Sequence, residues 1–202
     1  ALRSMQPGDT FQIIRFSQSA AQMAPPPLAA TADNVAAGIR YLDALEAGGG
    51  TNMIYGITSA LAFNHDDTHV RSVVFMTDGY IGNEPDILGE IGRNLGDARI
   101  FSFGIGSSPN RYLLQRMADM GNGVASFIGQ DNSAIDAMDE YFELVSHPAL
   151  HDVTLDVGGG VSEVYPANIP DVFVGRPIFV SGRLGQDFDG DITITGLTGG
   201  EP

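Results

Sequence analysis

The 202-residue chain contains no cysteine, which excludes disulfides, thiolate zinc sites and cysteine nucleophiles together. It contains no lysine either: all 10 basic residues are arginine. A high-GC codon bias and a salt-adapted source both account for that. Positive charge is scarce overall, with 25 Asp and Glu against those 10 arginines and a formal net charge of −15. Such a surface repels phosphate backbones, so nucleic acid and anionic membranes are poor partners, while cations and basic protein surfaces are favoured. Long apolar runs are missing too. None approaches the roughly 18 residues that a membrane span requires, so direct membrane insertion is not expected. The opening ALRSMQPGDTF is polar and punctuated by Gly and Pro, unlike a signal or transit peptide; an exported protein would carry its signal upstream. What is present is a hydrophobic fraction of 43%, enough for a core. The length suits one large domain, or one domain and part of a second.

Apolar periodicity organises the first three quarters of the chain. DTFQIIRFS at 9–17 reads as a strand. Pro25, Pro26 and Pro27 leave room for at most a short edge strand over 18–30. Thr31 starts a helix over 33–46 with Val35, Ile39, Leu42 and Leu45 on one face, stopped by Gly48, Gly49 and Gly50. A second helix covers 52–63, with Ile54, Ile57, Ala60 and Leu61 inward. RSVVFMT at 71–77 is a nearly continuous apolar run, the mark of a buried parallel strand. Pro85 opens a helix that carries Ile87, Leu88, Ile91 and Leu95. Strands follow at 99–105 and 124–128, with helices at 109–120 and 133–146. Alternating strands and helices predict an α/β fold, a doubly wound and mostly parallel sheet flanked by helices. After His147 and Pro148 the helical pattern ceases, and short strands are expected at 151–157, 161–165, 172–181 and 191–195. The expected division is therefore a domain over 1–147 and a partial β-rich, sandwich-like module over 148–202.

In open α/β sheets, ligands bind beyond the carboxyl ends of the strands. Asp78 directly follows the buried run VVFMT, and Thr51 follows the triple glycine at the head of a helix. A hydroxyl and a carboxylate without His or Cys suit a hard cation such as Mg²⁺, Mn²⁺ or Ca²⁺. The glycines would let the loop approach closely. The plainer alternatives are that Thr51 is a helix N-cap and Asp78 a turn former.

The segments GDTFQIIRFS, AGGGTNM, VVFMTDG, RIFSFGIGSSPNRYLLQRMA and VYPANIPDVFVGRPIFVSGRL carry a further signal. In that order they resemble the von Willebrand factor A domain of inter-alpha-trypsin inhibitor heavy chains and their bacterial relatives. The resemblance covers nearly the whole chain. It implies that Thr51 matches the second motif of the metal ion-dependent adhesion site, and Asp78 the third. The family's first motif, Asp-x-Ser-x-Ser, does not occur in the chain. The expectation is therefore a domain truncated before its usual first strand, with a metal site short of those donors. Gly50, Asn52, Gly79, Tyr80, Asn83 and Glu84 are the candidate ligand-binding neighbours, either rimming the ion or serving as solvated loop residues.

Other clusters have simpler explanations. His65 and His69, and His147 and His151, have zinc spacing but lie on no predicted helix, so exposed loop histidines fit better. Asp187, Asp189 and Asp191 resemble the start of a calcium loop, yet Ile192 and Thr198 occupy the positions that need Gly and Glu. GIGSSPN at 104–110 is neither phosphate-loop pattern; a tight turn with Ser or Asn capping the next helix explains it. No nucleophile elbow or carboxylate pair with a base is present, so no enzyme is expected. The resemblance implies a metal-dependent adhesion module, with the cation bridging to an acidic group of a protein ligand. The alternative is a structural scaffold in a larger surface or secreted protein, with a vestigial metal site. An extracellular, cell-surface or periplasmic location follows from the resemblance. Unpaired strand edges in the β-rich tail predict self-association.

Overall fold

The computed structural model describes residues 2–46, 48, 50, 52–63, 71–78, 82–129, 141, 148–167, 169–173, 177–185, 188 and 190–198. Their strands are β1 (Thr10–Phe11), β2 (Ile14–Phe16), β3 (Ala20–Gln22) and β4 (Leu28–Ala29), then β5 (Ser72–Thr77), β6 (Arg99–Ile105) and β7 (Ala125–Ile128). The helices are α1 (Ala32–Asp43), α2 (Met53–Leu61), α3 (Glu84–Asn94) and α4 (Arg111–Met120). Five strands follow: β8 (Pro148–Asp156), β9 (Val161–Tyr165), β10 (Val172–Phe173), β11 (Ser181–Leu184) and β12 (Thr193–Leu197). The chain forms two compact units, Ala1–Asp131 and Asn132–Pro202. The helix expected over 133–146 lies outside the described residues apart from Tyr141.

In the first unit, β5, β6 and β7 form a parallel sheet in that order, with Ser72 opposite Arg99 and Thr77 opposite Gly104. This is the α/β architecture that the apolar runs predict. Met53, Ile57 and Leu61 of α2, Ile87 and Ile91 of α3, and Leu113, Leu114 and Met117 of α4 join Phe75 and Ile100 in one core. Each of those Leu and Ile side chains contributes about 1.5–3 kcal/mol by leaving water. Phe101 and Phe103 alternate with Ile100 and Ser102 along β6, and all four are buried, so this central strand is covered on both faces. β5 differs. Its second edge has no strand partner among the described residues, and its Val74 and Met76 are exposed.

The amino-terminal segment departs from expectation. The single strand predicted over 9–17 is two short strands, β1 pairing with β4 and β2 with β3, all antiparallel. The cause is Gln12, whose side chain donates to the Ala24 carbonyl and accepts the Ile13 and Ala24 N–H groups. A side chain thus takes the place of backbone pairing and splits the strand. The region 18–30 accordingly holds two strands, β3 and β4, rather than at most one. α1 begins as predicted, with the Thr31 hydroxyl capping the Asn34 N–H at 3.3 Å. It ends at Asp43, before the glycines; its Leu42 and, beyond its end, Leu45 are exposed, and the residue it buries is Gly38, against the Phe11 ring. At α2, the added Cβ of a residue replacing Gly56 would lie 2.9 Å from the Phe16 ring, so only glycine lets the helix lie this close to β2. Phe16 in turn stacks on Phe75 at 5.0 Å.

In the second unit, β8 lies between β10 and β12, all antiparallel, and β9 pairs with β11. The single strand predicted over 172–181 is replaced by β10 and β11, while β9 matches its predicted span. His151 lies within β8 rather than in a loop, and its Nδ1 is 2.9 Å from the Asp152 carboxylate. His65, His69, His147, Asp187 and Asp189 lie outside the described residues; Asp191 is exposed just before β12. Burial pushes the Tyr141 phenol far above its ordinary range, which keeps the ring neutral.

Candidate functional site

The carboxyl ends of β5 and β6 lie side by side, because Thr77 is in register with Gly104. Asp78 directly follows β5, and its side chain is exposed. Thr77 beneath it is buried. The strand thus fixes the backbone of Asp78 while the carboxylate stands free at the sheet's edge. That placement matches the position predicted from the apolar run.

The loop after β6 is built differently. Gly106 has φ +85, the left-handed region that a side chain would resist, and its N–H donates to the Ile128 carbonyl at the end of β7. The chain then turns to Asn110, the N-cap of α4. Its Oδ1 accepts the Leu113 N–H at 3.1 Å, the predicted capping role. Its Nδ2 donates to Glu84 Oε1 at 2.7 Å. Asn110 is only 7% exposed, so both ends of its amide are committed in a nearly dry setting.

The remaining candidates fall out as follows. Thr51, Gly79 and Tyr80 lie outside the described residues. Asn52 is the N-cap of α2, without a side-chain capping bond; its N–H donates to the Ser17 carbonyl at 2.7 Å and ties the helix to the end of β2. The cap position predicted as an alternative role for Thr51 therefore belongs to the next residue. Gly50 is exposed, and a Cβ there would meet only Gln18 at an ordinary 3.8 Å, while Gly48 faces open space; close approach does not require glycine at either position. Asn83 is exposed at the N-cap of α3, and its carbonyl accepts the Asp86 and Ile87 N–H groups at 3.2 and 3.3 Å. Glu84, the first residue of α3, is half-buried and bonded to Asn110 rather than solvated. The structure thus joins Glu84 to Asn110, a residue that sequence patterns identify only as a cap.

The described candidates Asp78, Asn52, Asn83 and Glu84 carry oxygen donors, with no imidazole or thiolate among them. This donor chemistry fits a hard divalent cation. Glu84 is already engaged, which leaves Asp78 as the exposed carboxylate at the strand end. No cluster of three or more His, Asp or Glu side chains in metal-binding arrangement occurs among the described residues.

Residues 1–127 match the family described as von Willebrand factor type A domain. The chain belongs to that family. It is 28% identical over 200 residues to human inter-alpha-trypsin inhibitor heavy chain H6, covering 91% of this chain and 15% of that protein. It is 27% identical over 220 residues to human inter-alpha-trypsin inhibitor heavy chain H4, covering 100% of this chain and 23% of that protein. The chain therefore spans less than a quarter of either relative. Among solved structures, a von Willebrand factor type A protein from Catenulispora acidiphila superimposes with a TM-score of 0.70 at 17% identity, covering 98% of this chain and 56% of that one. That likeness concerns the fold.

Proposed function

We propose that this chain is a non-enzymatic, metal-dependent protein-binding module that takes an acidic group of a partner. The observation that carries it is the exposed Asp78 carboxylate, set directly at the end of the parallel strand β5 in a von Willebrand factor A fold. Asp78, with Thr51, would hold Mg²⁺, Mn²⁺ or Ca²⁺, and such an ion supplies a coordination position for a carboxylate oxygen. The same role suits an extracellular, cell-surface or periplasmic location. No helix among the described residues is long and apolar enough to cross a membrane.

A thermal melt with and without Mn²⁺ tests the proposal. A cation that binds only the folded chain stabilises it by about 2.7 kcal/mol at a hundredfold excess over Kd. The expected result is a rise in Tm for the wild type and none for Asp78→Ala, with equal melting temperatures in the absence of cation. No rise in the wild type overturns the proposal. A rise without any Asp78-dependent partner binding favours the scaffold alternative.

A second contact mode has its own support. Leu184 on β11 and Ile194 and Leu197 on β12 are exposed apolar residues on terminal strands of their sheets. Self-association through these edges predicts a sedimentation coefficient that rises with protein concentration and falls back on Ile194→Lys, because a charge on an edge strand opposes pairing. A concentration-independent monomer removes this mode.

A further inference from the structure

The chain is strongly acidic, yet no Asp or Glu occurs from Ala98 to Ala118, the stretch that forms β6, the loop after it and most of α4. Arg111 lies in this stretch as the first residue of α4, and it is exposed. A cation there opposes the helix dipole, which favours acidic residues in the first turn, so helix stability does not account for it. Its guanidinium stands 4.3 Å from the centre of the Phe127 ring, an attraction that holds the head group without neutralising its charge. Other arginines are committed. Arg93 pairs with Glu90, Arg116 with Asp119 and Arg183 with Glu163, while Arg71 and Arg99 donate to the Phe63 and Asp97 carbonyls. Arg111 has no carboxylate partner among the described residues. Glu84 reaches the neighbouring Asn110 and bonds to its Nδ2, not to Arg111.

Strand register places this charge relative to Asp78. Thr77, Gly104 and Phe127 lie in one row across β5, β6 and β7. At a strand spacing of about 4.8 Å, the ends of that row are about 10 Å apart. Asp78 follows one end, and Arg111 stands over the ring at the other. The carboxyl edge of the sheet thus carries an exposed carboxylate and, some way along, an uncommitted cation.

We propose that Arg111 is a second contact point for the partner of the Asp78 site. The preferred partner is then an acidic segment with two carboxylates roughly 10 Å apart, one for the cation at Asp78 and one for Arg111. The proposal rests on the cation-binding role of Asp78 and narrows the partner class that follows from it. The net charge of −15 supplies the reason. Such a chain repels an acidic segment except where positive charge is gathered. A cation at Asp78 and the Arg111 guanidinium gather it on one edge, and the loop at 106–110 between β6 and α4 brings no carboxylate of its own.

The test uses the whole chain, Mn²⁺ and two end-blocked peptides, Glu-Gly-Gly-Glu and Glu-Gly-Gly-Gln. In extended form the two ends of either peptide lie about 10 Å apart, and only the first carries a second carboxylate. Dissociation constants are measured for Mn²⁺ alone and for each peptide with Mn²⁺ in excess. Arg111→Met removes the charge and keeps an apolar side chain against Phe127. It is expected to weaken Glu-Gly-Gly-Glu about fivefold at low ionic strength, the upper range for one exposed ion pair. Mn²⁺ and Glu-Gly-Gly-Gln should stay within about twofold of wild type. The fivefold difference should shrink as salt is added. Arg111→Lys keeps the charge and should bind Glu-Gly-Gly-Glu within about twofold of wild type. Unchanged Glu-Gly-Gly-Glu affinity in Arg111→Met overturns the proposal alone. So do equal losses for both peptides, or a Lys variant as weak as the Met one, since either means that Arg111 supports the fold and not the partner. A wild type that binds Mn²⁺ and neither peptide overturns the acidic partner. One that binds no Mn²⁺ overturns the cation role of Asp78, and this proposal falls with either.

Discussion

Leu114→Ala is expected to lower the unfolding free energy by about 2–5 kcal/mol, read from urea denaturation of the whole chain. Leu114 is fully buried on the inner face of α4, among Ile87, Ile91, Ile100 and Met117. Truncation loses its transfer free energy and leaves a cavity that neighbours cannot readily fill. One wall of that cavity is the backbone of Gly104. A Cβ on Gly104 would stand 2.9 Å from Leu114 Cδ1, 2.9 Å from Pro109 Cβ and 2.8 Å from Phe127 Cδ1. Gly104→Ala alone therefore overpacks the site and costs about 1–3 kcal/mol. In the Leu114→Ala background one of these three clashes is gone, so the double substitution should cost less than the sum of the singles. A loss below about 1 kcal/mol for Leu114→Ala would mean that α4 collapses onto the sheet, contrary to the packing described.

Gly123→Ala is the second large effect. The added Cβ would collide with the Ile100 carbonyl oxygen and sit 2.8 Å from the carbonyl carbon. Backbone cannot swing aside as a side chain can. Two bonds hold the strands together here, Ile100 N–H to the Gly121 carbonyl and Ser102 N–H to the Val124 carbonyl, each 3.0 Å. Relieving the collision means separating β6 from the segment that leads into β7 and losing one or both bonds. The expected cost is at least about 2 kcal/mol, combining overpacking with a broken buried hydrogen bond. Gly96→Ala, with open space around the Cβ but φ +58, is the control: it carries backbone strain without a collision. If Gly123→Ala melts no lower than Gly96→Ala, the close approach of these segments is wrong.

The parallel half of the fold was legible because its strands are short, nearly continuous apolar runs, although only β6 is buried on both faces and β5 exposes Val74 and Met76. RIFSFGI at 99–105 coincides with β6, and SVVFMT falls within the predicted 71–77. The helices were legible in position but not always in exposure. α1 shows an apolar stripe in its sequence and leaves half of it in water, because Gly38 rather than a leucine makes its closest approach to β1. The amino-terminal strands were misread because the interruption comes from one glutamine side chain, and hydrophobic alternation carries no record of where a side chain bonds. The strands of the second unit run from two to nine residues, and the two-residue β10 is too short for a period to show.

At the candidate site the same distinction holds. Asp78 could be found because its place depends on the strand before it. Asn110 could be recognised as a cap because capping is local. Its bond to Glu84 joins residues on different loops through a side chain, and no spacing rule predicts it. The triple glycine was read as letting its loop approach closely, whereas Gly48 and Gly50 have room for a Cβ. Glycine at those positions does not report crowding.

The parallel register of β5 with β6 also determines how the sheet would respond to a pulling force. Six residues of β5, Ser72 to Thr77, lie opposite six of β6. Their hydrogen bonds cross between the strands, so tension applied at Asp78 along the axis of β5 loads the whole ladder in shear. The bonds then share the force and must yield nearly together, whereas a pull across the strands would open them one after another. A tether attached at Asp78 is consequently stiff in one direction and weak in the other, and the strand direction decides which.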